Sequence, residues 1–138
     1  MPSSSIRTFH IDGISILEGI VMEPPEAKTY EDVQIQYIHH RDSTEMPVSG
    51  STVVISFSAF LANGNLLETH PPEAPLRAKI GAGTLVPGLE RLLCSLSVGS
   101  QARAIVPWSM AYGASGVTDR VPPKTNIIYE VFLSSIEK

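Results

Sequence analysis

Several residues of this chain belong to types that carry chemistry, but their spacing fits no familiar catalytic or metal centre. His39 and His40 are adjacent, so on a strand they point to opposite faces, and surface histidines are the favoured interpretation. Cys94 stands among leucines, as an inert buried thiol does. Gly81-Ala82-Gly83 followed by Gly88 misses the spacing of a dinucleotide-binding loop. We therefore predict no metal, no cofactor and no Ser-His-Asp grouping.

The strands that would position a site are predicted by the alternation of apolar and polar side chains. Residues Thr52–Leu61 alternate over a long run, and Asn63-Gly64 then favours a tight turn. The shorter alternating or apolar runs are Val33–Tyr37, Leu76–Ile80, Gln101–Val106 and Asn126–Leu133. Such runs indicate an antiparallel sheet with one buried face and one wetter face.

One short helix is predicted to interrupt these strands. Pro87 suits the first helical position, and Gly99 suits the left-handed turn that closes the segment. Four leucines follow Pro87 at the spacing of a single apolar face: Leu89, Leu92, Leu93 and Leu96. A sheet with one helix predicts an α+β domain in which the helix packs against one face of the sheet.

Composition sets further limits on the class of protein. The chain has 138 residues, 43% hydrophobic and 17% charged, which fits one globular domain. A net charge of -4 without a Lys/Arg cluster argues against nucleic acid as a partner. No apolar run is long enough for a membrane span, and a single cysteine favours a reducing compartment. The first residues lack a signal-peptide pattern, so we expect a cytoplasmic protein, with the nucleus as the alternative.

Residues 1–31 are predicted to form an N-terminal extension to a domain that spans residues 32–138. Phe9–Ile11, Asp12-Gly13 and Ile14–Ile16 together predict a short hairpin, because Asp-Gly suits a type I′ turn. Pro24-Pro25 then interrupts regular structure. A lone two-stranded hairpin is marginal in water.

Several ordered motifs resemble the FKBP-type (immunophilin) peptidyl-prolyl isomerases. Ile80–Glu90 resembles their strand-to-helix signature, and Leu96–Ala102 resembles the turn after their helix. Ala111–Gly116 and Val121–Thr125 resemble the two ends of the loop over their pocket, and Ile128–Leu133 their final strand. The resemblance runs from about Val33 to Lys138. It implies a monomeric, bent antiparallel half-barrel wrapped on one short α-helix.

The resemblance also implies a site that isomerises X-Pro bonds in peptides or protein segments. The Tyr112 hydroxyl would donate to one substrate carbonyl, and the Val86 backbone N–H would hold a second. Glu68 would be a polar residue on the rim, and Phe57 would complete the catalytic set. The substrate-binding residues implied are Leu67, Leu76, Leu85, Leu89 as the floor, Val117 on the overhanging loop, Val121 and Tyr129.

Five positions depart from the family pattern. The family usually has Trp at Leu89, Tyr at Phe57, Phe at Leu67 and Leu76, and Asp at Glu68. Leucine in place of tryptophan removes a flat platform and an indole N–H. We therefore expect weaker catalysis, and weaker binding of tacrolimus or rapamycin, than in a typical member.

Each assignment has a simpler structural alternative. Phe57 and Tyr129 could be ordinary core residues, because apolar side chains on alternating strands usually are. Tyr112 could serve only to pack its turn, and Glu68 could be a solvated surface charge. The alternative for the whole chain is a weak or inactive FKBP-like interaction module that binds a partner through Ala114–Pro123 or residues 1–31.

Overall fold

A computed structural model describes residues 8–11, 14–17, 30–39 and 45–137 of the chain. The strands are β1 (Thr8–Ile11), β2 (Ile14–Leu17), β3 (Gln34–His39), β4 (Thr52–Leu61), β5 (Leu66–His70), β6 (Leu76–Lys79), β7 (Gln101–Val106) and β8 (Ile127–Glu137). One α-helix, α1 (Pro87–Leu93), and a short 3₁₀-helix, Trp108–Met110, lie between strands. Within these ranges, no helix has the length and apolar character needed to cross a lipid bilayer.

Strand β4 is the centre of an antiparallel sheet. It pairs along one edge with β8, and along the other edge with β6 over its first half and with β5 over its second half. The sheet continues from β8 through β7 to β3. The alternate side chains of β4 form a buried row, each at most 7% exposed: Val53, Ile55, Phe57, Ala59 and Leu61. We call the face that carries this row the inner face.

The helix α1 packs against the inner face. Leu92 and Leu93 are fully buried and belong to the same core cluster as the inner row of β4. Gly88 allows a close approach, because a Cβ built there would lie 2.2 Å from Val106 Cγ1. The predicted α+β class is therefore confirmed, as an antiparallel sheet over one short helix.

The structure adds detail that the sequence patterns did not supply. The helix ends at Leu93, earlier than the leucine spacing indicates, although Leu96 is still fully buried. Strand β5 was not predicted, because Leu66–His70 has no clear alternation of apolar side chains. At the N-terminus, β1 and β2 pair antiparallel, as the predicted hairpin requires, whereas its Asp12-Gly13 turn lies outside the described residues.

Candidate functional site

A cavity of about 490 Å³ opens between the inner face of the sheet, the start of α1 and the loop that carries Tyr112. Strands and helix contribute Phe57, Glu68, Leu76, Leu89 and Tyr129 to its lining. The loops contribute Gly83, Thr84, Leu85, Val86, Pro87 and Tyr112. The hollow that the proposed chemistry needs is therefore present.

Strand pairing brings the polar groups of this lining together. Glu68 on β5 stands opposite Ala59 on β4, and Ala59 stands opposite Tyr129 on β8. Ala59 is fully buried and small, so it leaves space between the carboxylate and the phenol. Phe57, two residues before Ala59 on the same face, stands opposite His70. The register of three strands thus places Glu68, His70 and Tyr129 around one part of the inner face.

The helix side of the cavity is formed by Leu89 and by the residues that precede α1. Leu89 is 1% exposed, yet it lines the cavity. The Val86 carbonyl accepts from the N–H groups of Leu89 and Glu90, at 3.0 and 3.2 Å, which fixes Val86 at the start of the helix. Within the part of the chain that the structure describes, no group accepts a hydrogen bond from the Val86 N–H. That amide is available to a ligand.

On the opposite side, backbone hydrogen bonds hold the loop that presents Tyr112. The Gly113 N–H donates to the Trp108 carbonyl at 2.8 Å, and the Lys124 N–H donates to the Gly113 carbonyl at 3.2 Å. Gly113 has a φ of 78°, which an L-residue adopts only with strain. This turn leaves Tyr112 partly buried at the cavity.

Tyr112 and Tyr129 form a pair of phenols inside the cavity. Their hydroxyls are hydrogen-bonded to each other, and either phenol can be the donor of that bond. Burial raises the pKa of Tyr112, and the carboxylate of Glu68 adds to the rise. Burial also raises the pKa of Tyr129 strongly, with smaller contributions from Tyr112 and Glu68. Both phenols are therefore neutral donors at physiological pH.

Glu68 is held by His70 rather than standing alone in solvent. The His70 Nε2 lies 2.6 Å from the Glu68 Oε2, and the imidazole packs on Phe57 with the ring centroids 4.9 Å apart. Phe57 has no hydroxyl with which to hold an acidic neighbour, and His70 supplies the donor instead. Glu68 and His70 are two residues apart on β5, so their side chains lie on the same face of the strand.

Three predicted binding residues lie outside the lining of this cavity. Leu67 sits where the β4–β5 register shifts and packs against the margin of the core. Val117 is 39% exposed on the overhanging loop, and Val121 is buried in the core. Val117 and Val121 instead line a second depression of about 500 Å³. The sequence patterns missed Gly83, Thr84 and Pro87, which line the cavity through a loop without periodicity.

In the described ranges, no three His, Cys, Asp or Glu side chains are placed to hold a metal ion together. Cys94 is partly buried rather than fully buried as predicted, and burial raises the pKa of its thiol.

The family match and the individual sequence relatives of this chain point to the same protein family. Residues 43–134 match the FKBP-type peptidyl-prolyl cis-trans isomerase family. The chain is 32% identical over 106 residues to FK506-binding protein 1 of Kluyveromyces lactis, covering 76% of this chain and 93% of that protein. It is 31% identical over 133 residues to bovine peptidyl-prolyl cis-trans isomerase FKBP11, covering 96% of this chain and 55% of that protein.

Solved structures show the same fold. The N-terminal domain of FKBP42 from Arabidopsis thaliana superposes with a TM-score of 0.71 at 26% identity, covering 79% of this chain and 89% of that one. A peptidyl-prolyl isomerase from Pseudomonas syringae superposes with a TM-score of 0.69 at 19% identity, covering 77% and 76%. The family match over residues 43–134 and the shared fold place this chain in the FKBP-type peptidyl-prolyl cis-trans isomerase family.

Proposed function

We propose that this chain isomerises X-Pro bonds in exposed protein segments, and that the reaction takes place in the 490 Å³ cavity. The observation that carries the proposal is one hollow that combines leucine and aromatic side chains with two donor groups, the Tyr112 hydroxyl and the Val86 N–H. Membership of a family of peptidyl-prolyl isomerases supports the same activity.

The chemistry needs neither a nucleophile nor a metal. An X-Pro bond crosses a barrier of about 18–20 kcal/mol because the twisted amide loses its resonance. The carbonyl of the twisted amide is less polar than that of the planar form, so removing water disfavours the planar form more than the twisted one. A dry apolar cavity therefore lowers the barrier.

The cavity residues divide this work between them. Leu89, Leu76 and Leu85 would surround the prolyl ring and exclude water. The Tyr112 hydroxyl and the Val86 N–H would each donate to a substrate carbonyl and fix the segment while the bond turns. Phe57 and Tyr129, whose ring centroids are 5.7 Å apart, would form the wall on the sheet side.

The isomerase activity is tested by measuring cis–trans exchange in an Ala-Leu-Pro-Phe peptide by NMR. We expect the wild-type chain to accelerate exchange and Tyr112→Phe to reduce the gain by about two- to tenfold, the effect of one lost hydrogen bond. Unchanged melting of Tyr112→Phe shows that the fold is kept. A wild-type exchange rate equal to that of the free peptide would reject the isomerase function and favour an interaction module.

We also propose that catalysis and drug binding are weaker than in relatives with an aromatic floor. The leucine at position 89 supports this proposal, because it offers the prolyl ring neither a flat surface nor an indole N–H. Leu89→Trp should raise the isomerase rate or the affinity for tacrolimus, measured by exchange NMR and by titration. If a well-folded Leu89→Trp protein gains neither isomerase rate nor tacrolimus affinity, Leu89 is not the cause of weak catalysis or weak binding.

Two further proposals concern the state of the protein in the cell. A reducing location, in the cytoplasm or the nucleus, is supported by the single cysteine and is tested by imaging a fluorescent fusion. A monomeric state follows the family resemblance and is tested by light scattering. Its partners would be proline-containing protein segments rather than nucleic acid or membranes.

A further inference from the structure

We propose that Glu68 makes this site selective for X-Pro segments that carry a lysine or arginine next to the proline. The inference rests on the isomerase function proposed above and adds the class of substrate. Of the residues that line the cavity, Glu68 alone is an acidic or basic residue, since the others are apolar, glycine, threonine or tyrosine. A substrate in the cavity therefore meets one fixed negative charge.

The carboxylate is held in place rather than free to move into solvent. Its Oε2 lies 2.6 Å from His70 Nε2, and His70 itself packs on the buried Phe57. An ionised carboxylate can accept several hydrogen bonds, so the contact with His70 leaves capacity for a substrate ammonium or guanidinium. His70 thus acts as a positioning residue for Glu68.

The field of Glu68 reaches into the cavity. Its carboxylate contributes to the raised pKa of both Tyr112 and Tyr129, the two phenols that line the same cavity. The side chain of Glu68 is 38% exposed, so solvent and salt screen part of its attraction. An exposed ion pair of this kind corresponds to a selectivity of about two- to fivefold.

Arg120 is a cation whose charge acts on the same region. Its Nη2 donates to the Leu67 carbonyl at 3.1 Å, and its charge also acts on Tyr112. Arg120 is exposed to solvent and does not line the cavity, whereas Glu68 does. A substrate side chain that enters the cavity therefore approaches the carboxylate more closely than the guanidinium.

The test compares peptides that differ in charge but not in shape. Cis–trans exchange is measured by NMR for Ala-Xaa-Pro-Phe and Ala-Pro-Xaa-Phe peptides, with Xaa as lysine or its uncharged analogue norleucine. The wild-type chain should favour lysine by about two- to fivefold in at least one series, and 0.5 M NaCl should reduce the preference. Glu68→Gln should bring the ratio of the lysine rate to the norleucine rate to about one, whatever its effect on the two rates themselves.

Two variants complete the design. His70→Leu should lower the lysine preference without abolishing it, because Glu68 keeps its charge but loses its donor. Asp119→Asn, which removes an exposed carboxylate from the overhanging loop, should leave the preference unchanged. Equal rates for lysine and norleucine in the wild type, or an undiminished preference in Glu68→Gln, would overturn the selectivity and leave the isomerase function intact. Failure to turn over any peptide would reject both.

Discussion

The helix side and the loop side of the cavity are built in different ways. On the helix side, Leu89 and Leu92 are at most 1% exposed, and Gly88 has no space for a methyl group. On the loop side, Tyr112 lines the cavity, and residues 114–120, which follow it without lining the cavity, are mostly exposed and held by a few backbone hydrogen bonds. Val117 and Val121 form a two-way backbone bridge there, at 2.8 Å in each direction.

Because of this difference, we expect the helix side to determine the stability of the domain and the loop side to determine recognition of the substrate. A change on the helix side disturbs the core that the whole domain shares, because its leucines pack with the inner row of β4. A change on the loop side alters a turn whose side chains contribute little to that core. We therefore expect helix-side variants to lower global stability, and loop-side variants to act mainly on the shape of the site.

The largest expected effect tests the helix side. Leu92→Ala should lower the free energy of unfolding by about 2–5 kcal/mol, because it leaves a cavity in a fully packed region. The measurement is urea denaturation followed by tryptophan fluorescence. Leu66→Ala is the control, since Leu66 is 56% exposed and should cost about 0.5 kcal/mol or less. Equal losses for the two variants would contradict the comparison.

A smaller effect is expected on the loop side. A Cβ added to Gly116 would lie 2.1 Å from the Val121 carbonyl oxygen, at a φ of 66°, so the bridge must open. Gly116→Ala should lower the free energy of unfolding by about 1–3 kcal/mol. It should also reduce the isomerase activity of the protein that remains folded. Gly113→Ala is the matched control, because its φ is also positive but its Cβ meets nothing within 4 Å. If both alanines behave alike, backbone strain rather than the bridge is responsible.

The smallest effect concerns the phenol pair that joins the two sides. Burial raises the pKa of Tyr129 above that of the unfolded chain, so the neutral form is favoured in the folded state. The resulting stability is fully present below pH of about 10 and is lost as pH rises further. Tyr129→Phe should reduce this alkaline loss, measured as unfolding free energy at pH 9 and pH 11. An unchanged alkaline loss would show that Tyr129 does not cause it.

Much of the fold could be predicted, because strand alternation depends on local sequence. Residues Thr52–Leu61 and Gln101–Val106 are strands with the expected bounds. Strand β5 was missed because its neighbours in β4, not its own pattern, hold it in the sheet. Leu67 of β5 lies outside the cavity lining because the register between β4 and β5 shifts at this point. Such a shift cannot be inferred from the alternation of side chains.

The candidate site shows the same division. Tyr112, Val86, Leu89 and Glu68 were identified through motif resemblance, and they meet in one cavity. The contact between Glu68 and His70 was not foreseen, because it depends on the rotamers of two side chains against Phe57. The bond between the Tyr112 and Tyr129 hydroxyls joins a loop to the last strand.

The amino-acid sequence by itself determined the class of fold, the short helix that starts at Pro87 and the family, because these follow from local periodicity and ordered motifs. Only the tertiary structure decided which side chains share the cavity and which partner each polar group has. The physical reason is that such contacts join residues far apart in the chain, through strand register and packing that no local pattern specifies.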